Sequence, residues 1–189
     1  MELRAAGLAR LLIFGNSGSG KSWLAREFGV RLRVAPTDLD TIHWEPGDFN
    51  VARDRQLAKA TTRRIAERDA WIIEGVYGWL AQEAVSRATT VVWLDLPIEE
   101  CLANLRRRGG GRSDEAFAAL LTWAAAYSKR ETSSSQQGHE RIFNAFAGTK
   151  VRLSSREETA RLLANCRADG PETRGYFDEI VTPDAATNG

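Results

Sequence analysis

This 189-residue sequence predicts an α/β fold, a parallel sheet covered by helices on both faces. Two observations carry that prediction. Short apolar runs alternate with longer segments of helical spacing, the pattern of strand–helix–strand units. The first apolar run, 11–14, also opens into Gly15-Asn16-Ser17-Gly18-Ser19-Gly20-Lys21-Ser22, which fits G-x-x-x-x-G-K-[ST] without a substitution.

Taken in order, strands are expected over 11–14, 33–35, 71–73, 91–94 and 151–153, each short and bounded by turn or charged residues. Helical spacing follows in Leu24, Phe28 and Leu32; in Leu57 and Ile65 within 52–68; in Leu80 and Val85; and in Ile98, Cys101, Leu102 and Leu105. A last amphipathic run, with Phe117, Leu120, Leu121, Ala124 and Tyr127, predicts a helix over about 114–128 with Ser113 as its cap. "RRRGGGRS" at 106–113 and "KRETSSSQQG" at 129–138 flank it. Both are polar and rich in Gly or Ser, so a mobile helical lid is expected over about 106–138. Its near hinge would be Gly109, Gly110 and Gly111, and its far hinge 133–138. One domain is expected to run over 1–169, and 170–189 reads as a surface tail that Tyr176, Phe177 and Ile180 can anchor.

Composition narrows the classes. The chain is 43% hydrophobic, enough for one core, and its 26 basic and 25 acidic residues leave a formal net charge of +1. That balance argues against a nucleic-acid or membrane partner. Cys101 and Cys166 have no His or Cys neighbours at metal-ligand spacing, so neither a disulfide nor a structural zinc is expected. The start, "MELRAAGLARLLIF", has no long apolar core or small-residue cleavage site, and no stretch approaches a membrane span. A cytoplasmic protein is expected; its oligomeric state is left open.

The glycine loop points to a nucleoside triphosphate. Its glycines let successive N–H groups face a pyrophosphate, and a helix starting at Lys21 adds its positive end. Lys21 then reaches the β- and γ-phosphates, and Ser22 offers its hydroxyl to Mg²⁺. Ligands of parallel sheets sit beyond the carboxyl ends of the strands, so the residues that follow each strand are the next candidates. Asp38 and Asp40 lie two apart, which in extended chain aims both carboxylates to one side. Asp40 suits a proton acceptor for an attacking hydroxyl, and Asp38 suits a magnesium water; turn capping is the competing role for both. Glu74 suits metal or substrate contact, and His43 and Trp44 suit an acceptor pocket or the core. Asp95 serves equally well as a helix-initiating residue. Phosphoryl transfer places charge on equatorial oxygens, and Arg108, Arg112 and Arg130 are candidates to close over it.

These motifs resemble a known group. "IFGNSGSGKS", "DLDTIHWEPG", "WIIEGVYG", "VVWLDLPIEECLANLRRR" and "VRLSSREE" are similar to the adenylate-kinase-related P-loop kinases known as topology modulation proteins, over roughly residues 9–165. The resemblance implies a three-layer α/β/α nucleoside-kinase fold with strand order 2-3-1-4-5, ATP with Mg²⁺, and an arginine-bearing lid. It implies no particular acceptor. Relatives carry Thr where Trp23 stands, a change expected to alter packing under the loop. They carry Asp-Gly-Asn where Glu74-Gly75-Val76 stands, and an adenine-stacking arginine at Asn104, while Arg108 matches their next lid arginine. The expected function is ATP- and Mg-dependent transfer of a phosphoryl group to a small nucleoside, nucleotide or sugar-like acceptor. The alternative is an ATP-binding regulatory or nucleic-acid-associated module with slow ATPase activity.

Overall fold

The computed structural model describes residues 3–4, 9–46, 48–109 and 114–167. The expected tail at 170–189, Gly110, Gly111, Arg112 and Ser113 lie outside them. Five parallel strands form the central sheet: β2 (Arg10–Gly15), β3 (Pro36–Asp38), β6 (Trp71–Gly75), β7 (Thr90–Leu94) and β8 (Thr149–Leu153). Their spatial order is β3-β6-β2-β7-β8. Counted along the chain within this sheet, that is 2-3-1-4-5, as the resemblance implied.

The layers follow from the period of two along each strand. Leu11 and Ile13 join one core, with Leu24, Ala25 and Phe28 of α1 (Lys21–Leu32) and Leu162 and Leu163 of α8 (Arg156–Ala164). Leu12 and Phe14 join the other, with Ala58 of α3 (Arg55–Ala66), Leu80 of α4 (Gly78–Val85) and Ile142 of α7 (Gln136–Ala145). Strands covered on both faces have no polar side to show, which is why β2, β6 and β7 are nearly continuous apolar runs.

Several expectations are corrected. The second strand is Pro36–Asp38, not 33–35. Arg33 instead ends α1 in the left-handed region, at φ 54°, and the chain folds back over Gly29 before pairing Pro36 with Ile72. A Cβ at Gly29 would lie 2.9 Å from the Val34 carbonyl, so the turn itself consumes the residues that looked like a strand. Pro36 is tolerated as the first residue of an edge strand. Leu57 does not face the core; it is 54% exposed, and α3 buries Ala58, Thr62 and Ala66.

The segment after α6 (Asp114–Ala125) departs most. Residues 133–138 are not a hinge. Ser135 is fully buried and caps α7, accepting from the Gly138 N–H at 3.0 Å. A Cβ at Gly78 would meet the Ser133 carbonyl at 1.8 Å, so helix α4 and this turn are in direct backbone contact. Polarity concealed the helix: its buried face is made of Gly138, His139 and Ile142. Smaller additions are an antiparallel pair, β4 (Trp44–Glu45) with β5 (Asp48–Ala52), and a short parallel pair, β1 (Leu3–Arg4) with β9 (Cys166–Arg167). The remaining helices are α2 (Leu39–His43) and α5 (Ile98–Arg108). No helix among the described residues is long and apolar enough to cross a membrane. Cys101 and Cys166 are buried and form no disulfide.

Candidate active site

The loop joining β2 to α1 is built from backbone. Gly18 has φ 81°, and a Cβ there would lie 2.2 Å from the Cys101 carbonyl. Gly20 has φ 93° and caps α1, so the N–H groups of the first helical turn open towards the loop. Asn16 locks the loop from below. Its side-chain amide donates to the Ala124 carbonyl of α6 at 3.0 Å, and its Oδ1 accepts from the Ser17 N–H at 2.8 Å. Lys21, 8% exposed, donates to the Asn16 carbonyl at 2.8 Å. The buried Ser19 hydroxyl has no hydrogen-bond partner among the described residues.

Two openings flank Lys21 and Ser22. The smaller, a cleft of about 70 Å³, is walled by Lys21, Ser22, Asp38, Asp40, Glu74 and Arg108, with Leu120 of α6 across it. With Ser17 and Gly18 of the loop, which also line it, eight of the expected site residues are thus brought together. The extended spacing of Asp38 and Asp40 is not the reason. Asp38 ends β3 and caps α2, its Oδ1 accepting from the Asp40 N–H at 2.8 Å, while Asp40 stands in the first turn of that helix. Glu74 enters through register, as the partner of Asp38 on the neighbouring strand β6.

Crowding of the carboxylates has an electrostatic consequence. Burial, then the charges of Glu74 and Asp40, push the Asp38 carboxyl from its ordinary 3.8 up to about 7. The Asp40 N–H and Lys21 oppose that rise. Among the described residues no group of three His, Cys, Asp or Glu side chains can hold a metal by itself. Ser22, Asp38 and Glu74 fit a different kind of cation site. Magnesium keeps several waters and takes much of its shell from substrate phosphates, needing only one or two protein groups nearby.

His43 and Trp44 do not wall the cleft. They form an aromatic group behind Asp40, with His43 4.3 Å from Trp44 and 4.2 Å from Tyr77, ring centre to ring centre. Trp79 adds an edge contact to His43 at 5.8 Å, and Arg55 lies 4.5 Å over the Trp79 ring. Burial lowers the His43 imidazole from its usual range. Burial also raises the Tyr77 phenol, and its hydrogen bond with Asp40 acts in the same direction. Tyr77 and Trp79 lie within and just after "EGVYG", where strand-end reasoning stopped at Glu74.

Arg130 is also placed away from the cleft. Its guanidinium stacks 3.7 Å over Trp123, donates to the Ser134 carbonyl at 2.6 Å and to the Trp123 carbonyl, and loses some basicity to burial. It braces α6 against the turn that leads to α7. Arg112 lies outside the described residues. Asp95 is structural: it is paired with Arg152 and accepts from Gln136 at 2.9 Å. The cleft wall at Val76 is held by a buried chain not anticipated from sequence. The Val76 carbonyl can only accept, so His139 Nε2 donates to it at 3.0 Å. His139 Nδ1 then accepts from Tyr127, 2.6 Å away, whose oxygen accepts from Trp93. Burial pushes His139 down to about 3, and the ring stays neutral.

The larger opening, about 760 Å³, lies on the other side of the loop and is lined by Trp23, Arg26, Asn104, Arg107 and Arg156 among others. Trp23 is 47% exposed in it and does not pack under the loop. Asn104 is a junction, donating to the Gly18 carbonyl at 2.8 Å and accepting from Arg107 at 2.9 Å and from Arg156. Arg156 follows β8 and would have been found by applying the strand-end rule to the fifth strand.

No family model and no curated protein matches the chain. Solved structures do. It is similar to a shikimate kinase from Acinetobacter baumannii in complex with shikimate, at 13% identity and TM-score 0.52, over 85% of this chain and 92% of that one. A sugar kinase from Janibacter matches at 16% identity and TM-score 0.51, over 82% of this chain and 89% of that one. A deoxyadenosine kinase from M. mycoides with bound dATP matches at 13% identity and TM-score 0.50, over 82% and 95%. At such identities the likeness is one of architecture: this chain has the α/β fold of P-loop kinases, five parallel strands between two helical layers.

Proposed function

We propose that the protein is an ATP- and Mg-dependent phosphotransferase acting on the hydroxyl or phosphate of a small nucleoside, nucleotide or sugar-like acceptor. The observation that carries this reading is the smaller cleft. Lys21, Ser22 and Arg108 share it with Asp38, Asp40 and Glu74, so phosphate-binding cations and proton-accepting carboxylates meet at the loop. The topology-modulation-like motifs and the kinase architecture of the structural neighbours support the same reading.

The loop residues from Gly15 to Ser22 would hold the triphosphate, with the unpartnered Ser19 hydroxyl available inside the cradle. Magnesium, when bound, supplies charge neutralisation between the phosphates, and Ser22 with waters ordered by Asp38 and Glu74 would hold it. A cation there would offset the Glu74 and Asp40 charges, which add to burial in raising Asp38. With a hydroxyl acceptor, its oxygen forms the new bond to the γ-phosphorus as the bond from that phosphorus to the β–γ bridging oxygen breaks. The hydroxyl proton passes to Asp40, oriented by Tyr77, and the diphosphate leaves. Lys21 and Arg108 meet the charge on the transferred group. His43, Trp44, Tyr77 and Trp79 pack on one another behind Asp40 and would hold the carboxylate wall in place on the acceptor side. Leu120 across the cleft makes α6 the part of the expected lid that would cover the site. Two buried cysteines without a disulfide suit a reducing, cytoplasmic setting.

The test is ADP release over a panel of nucleosides, nucleoside monophosphates, sugars and sugar acids. The reading expects at least one to accelerate turnover well beyond the acceptor-free rate. A rate indifferent to every small acceptor would favour a regulatory ATPase.

A further inference from the structure

We infer that the 760 Å³ opening accepts a guanine nucleotide at least as tightly as an adenine nucleotide, with the base stacked on Trp23 and its acceptor edge met by Arg26. The inference rests on the reading of the loop as a triphosphate site and deepens it. Volume makes the first choice. Of the two openings that flank Lys21 and Ser22, the one beside the carboxylates is about 70 Å³ and the other about 760 Å³, so only the second has room for a nucleoside.

The lining makes the second choice. Trp23 stands one residue beyond Ser22 on the first turn of α1 and leaves 47% of its surface in the open. A lone exposed tryptophan is ordinary, but one that walls a cavity beside a phosphate loop offers a stacking face for a base. The polar side chains around it are largely committed. Both ends of the Asn104 amide are engaged, by the Gly18 carbonyl on one side and by Arg107 and Arg156 on the other. Arg156 is also paired with Glu100, and the Thr159 hydroxyl donates to the Ser155 carbonyl at 2.9 Å. Arg108 opens on both spaces and so belongs to the phosphate end. Arg26 is left, on the turn of α1 that follows Trp23, with no ion pair among the described residues.

What remains away from the phosphate loop is therefore an aromatic face and guanidinium donors, with Arg26 next to Trp23 on α1 and Arg107 spending one N–H on Asn104, and a guanidinium only donates. Guanine presents two acceptors, N7 and O6, on one edge and matches that fork. Adenine presents one acceptor and a donor, N7 and N6, and away from the loop hydroxyls Ser19 and Ser22 the side-chain oxygen left in this lining for that donor is Thr159, 5% exposed and already turned to the Ser155 carbonyl. Stacking is indifferent to the base, so both purines bind, and Arg26 tilts the balance towards guanine.

Calorimetry with non-hydrolysable GTP and ATP analogues and with inorganic tripolyphosphate, all with magnesium, tests this on the full chain. The wild type should bind the GTP analogue as tightly as the ATP analogue or more so. Trp23→Ala should weaken both about tenfold and leave tripolyphosphate unchanged, which also shows that the loop is intact. Arg26→Gln should weaken the GTP analogue by about tenfold and the ATP analogue by about twofold or less. An ATP analogue bound reproducibly tighter than the GTP analogue overturns the inference, as does a Trp23→Ala variant with unchanged nucleotide affinity. Tripolyphosphate that binds while neither nucleotide does would sink the inference alone. A wild type that binds none of the three removes the loop assignment beneath it.

Discussion

The two sides of Lys21 are made of different material. On the side we assign to phosphate the groups offered are main-chain N–H groups, aimed by glycines at φ 81° and 93° and by the start of one helix. On the carboxylate side they are side chains from three elements: Asp38 at the end of β3, Asp40 in α2 and Glu74 at the end of β6, backed by rings from α2, β4 and α4. A backbone cradle needs one local geometry and accepts any chain carrying a polyphosphate. A side-chain wall needs several elements in register, and its shape sets which acceptor fits. The first is general and the second selective, which is the division of labour expected when a common donor is used on a particular substrate.

The largest expected effect lies on the phosphate side. Lys21→Met should fold normally and lose about a thousandfold or more in turnover, because the missing cation served charge that grows during transfer. Circular dichroism with steady-state ADP release measures both, and undiminished turnover would refute the cradle. Next comes Asp40→Asn, which should bind nucleotide like the wild type yet lose about a hundredfold or more in acceptor-dependent turnover. If turnover survives, the base is Glu74 rather than His43, since His43 does not reach the cleft.

A third substitution probes the scaffold shared by both sides. Gly78→Ala should cost on the order of 3 kcal/mol in chemical denaturation, because the new methyl meets the Ser133 carbonyl and α4 must separate from the turn before α7. A neutral outcome would restore residues 133–138 as a loose hinge.

The smallest effect is a pH dependence. The raised Asp38 carboxyl gives a stability contribution that is fully present below its unfolded value near 3.8 and is lost as pH rises towards about 7. Asp38→Asn removes that loss. The melting temperature should therefore rise by a few degrees at pH 8 and by less at pH 5, in the absence of nucleotide and magnesium. The opposite order would mean that Asp38 is stabilised as a carboxylate.

What could be read in advance divides along the same line. Gly15 to Ser22 are contiguous, and their chemistry follows from residue type and order alone. The strand-end rule found Asp38, Asp40 and Glu74 because parallel strands put their carboxyl ends on one edge. It stopped short of Tyr77 and Trp79, which cap and begin a helix beyond the end of β6, and it was not applied to the fifth strand, where Arg156 follows. Helix α7 was invisible for a different reason: "SSSQQGHE" is polar, and its burial depends on His139 satisfying both ring nitrogens far along the chain, on Tyr127 and Val76.

The sequence by itself determined the sheet's apolar strands, the parallel order of strand and helix, and the phosphate loop, because each depends on neighbours within a few residues. Tertiary structure alone decided that Asp38 faces Glu74, that Arg130 braces Trp123 instead of the cleft, and that Trp23 lines a cavity. Those outcomes depend on distances between segments far apart in the chain, set by sheet register and helix packing, and no local spacing encodes them.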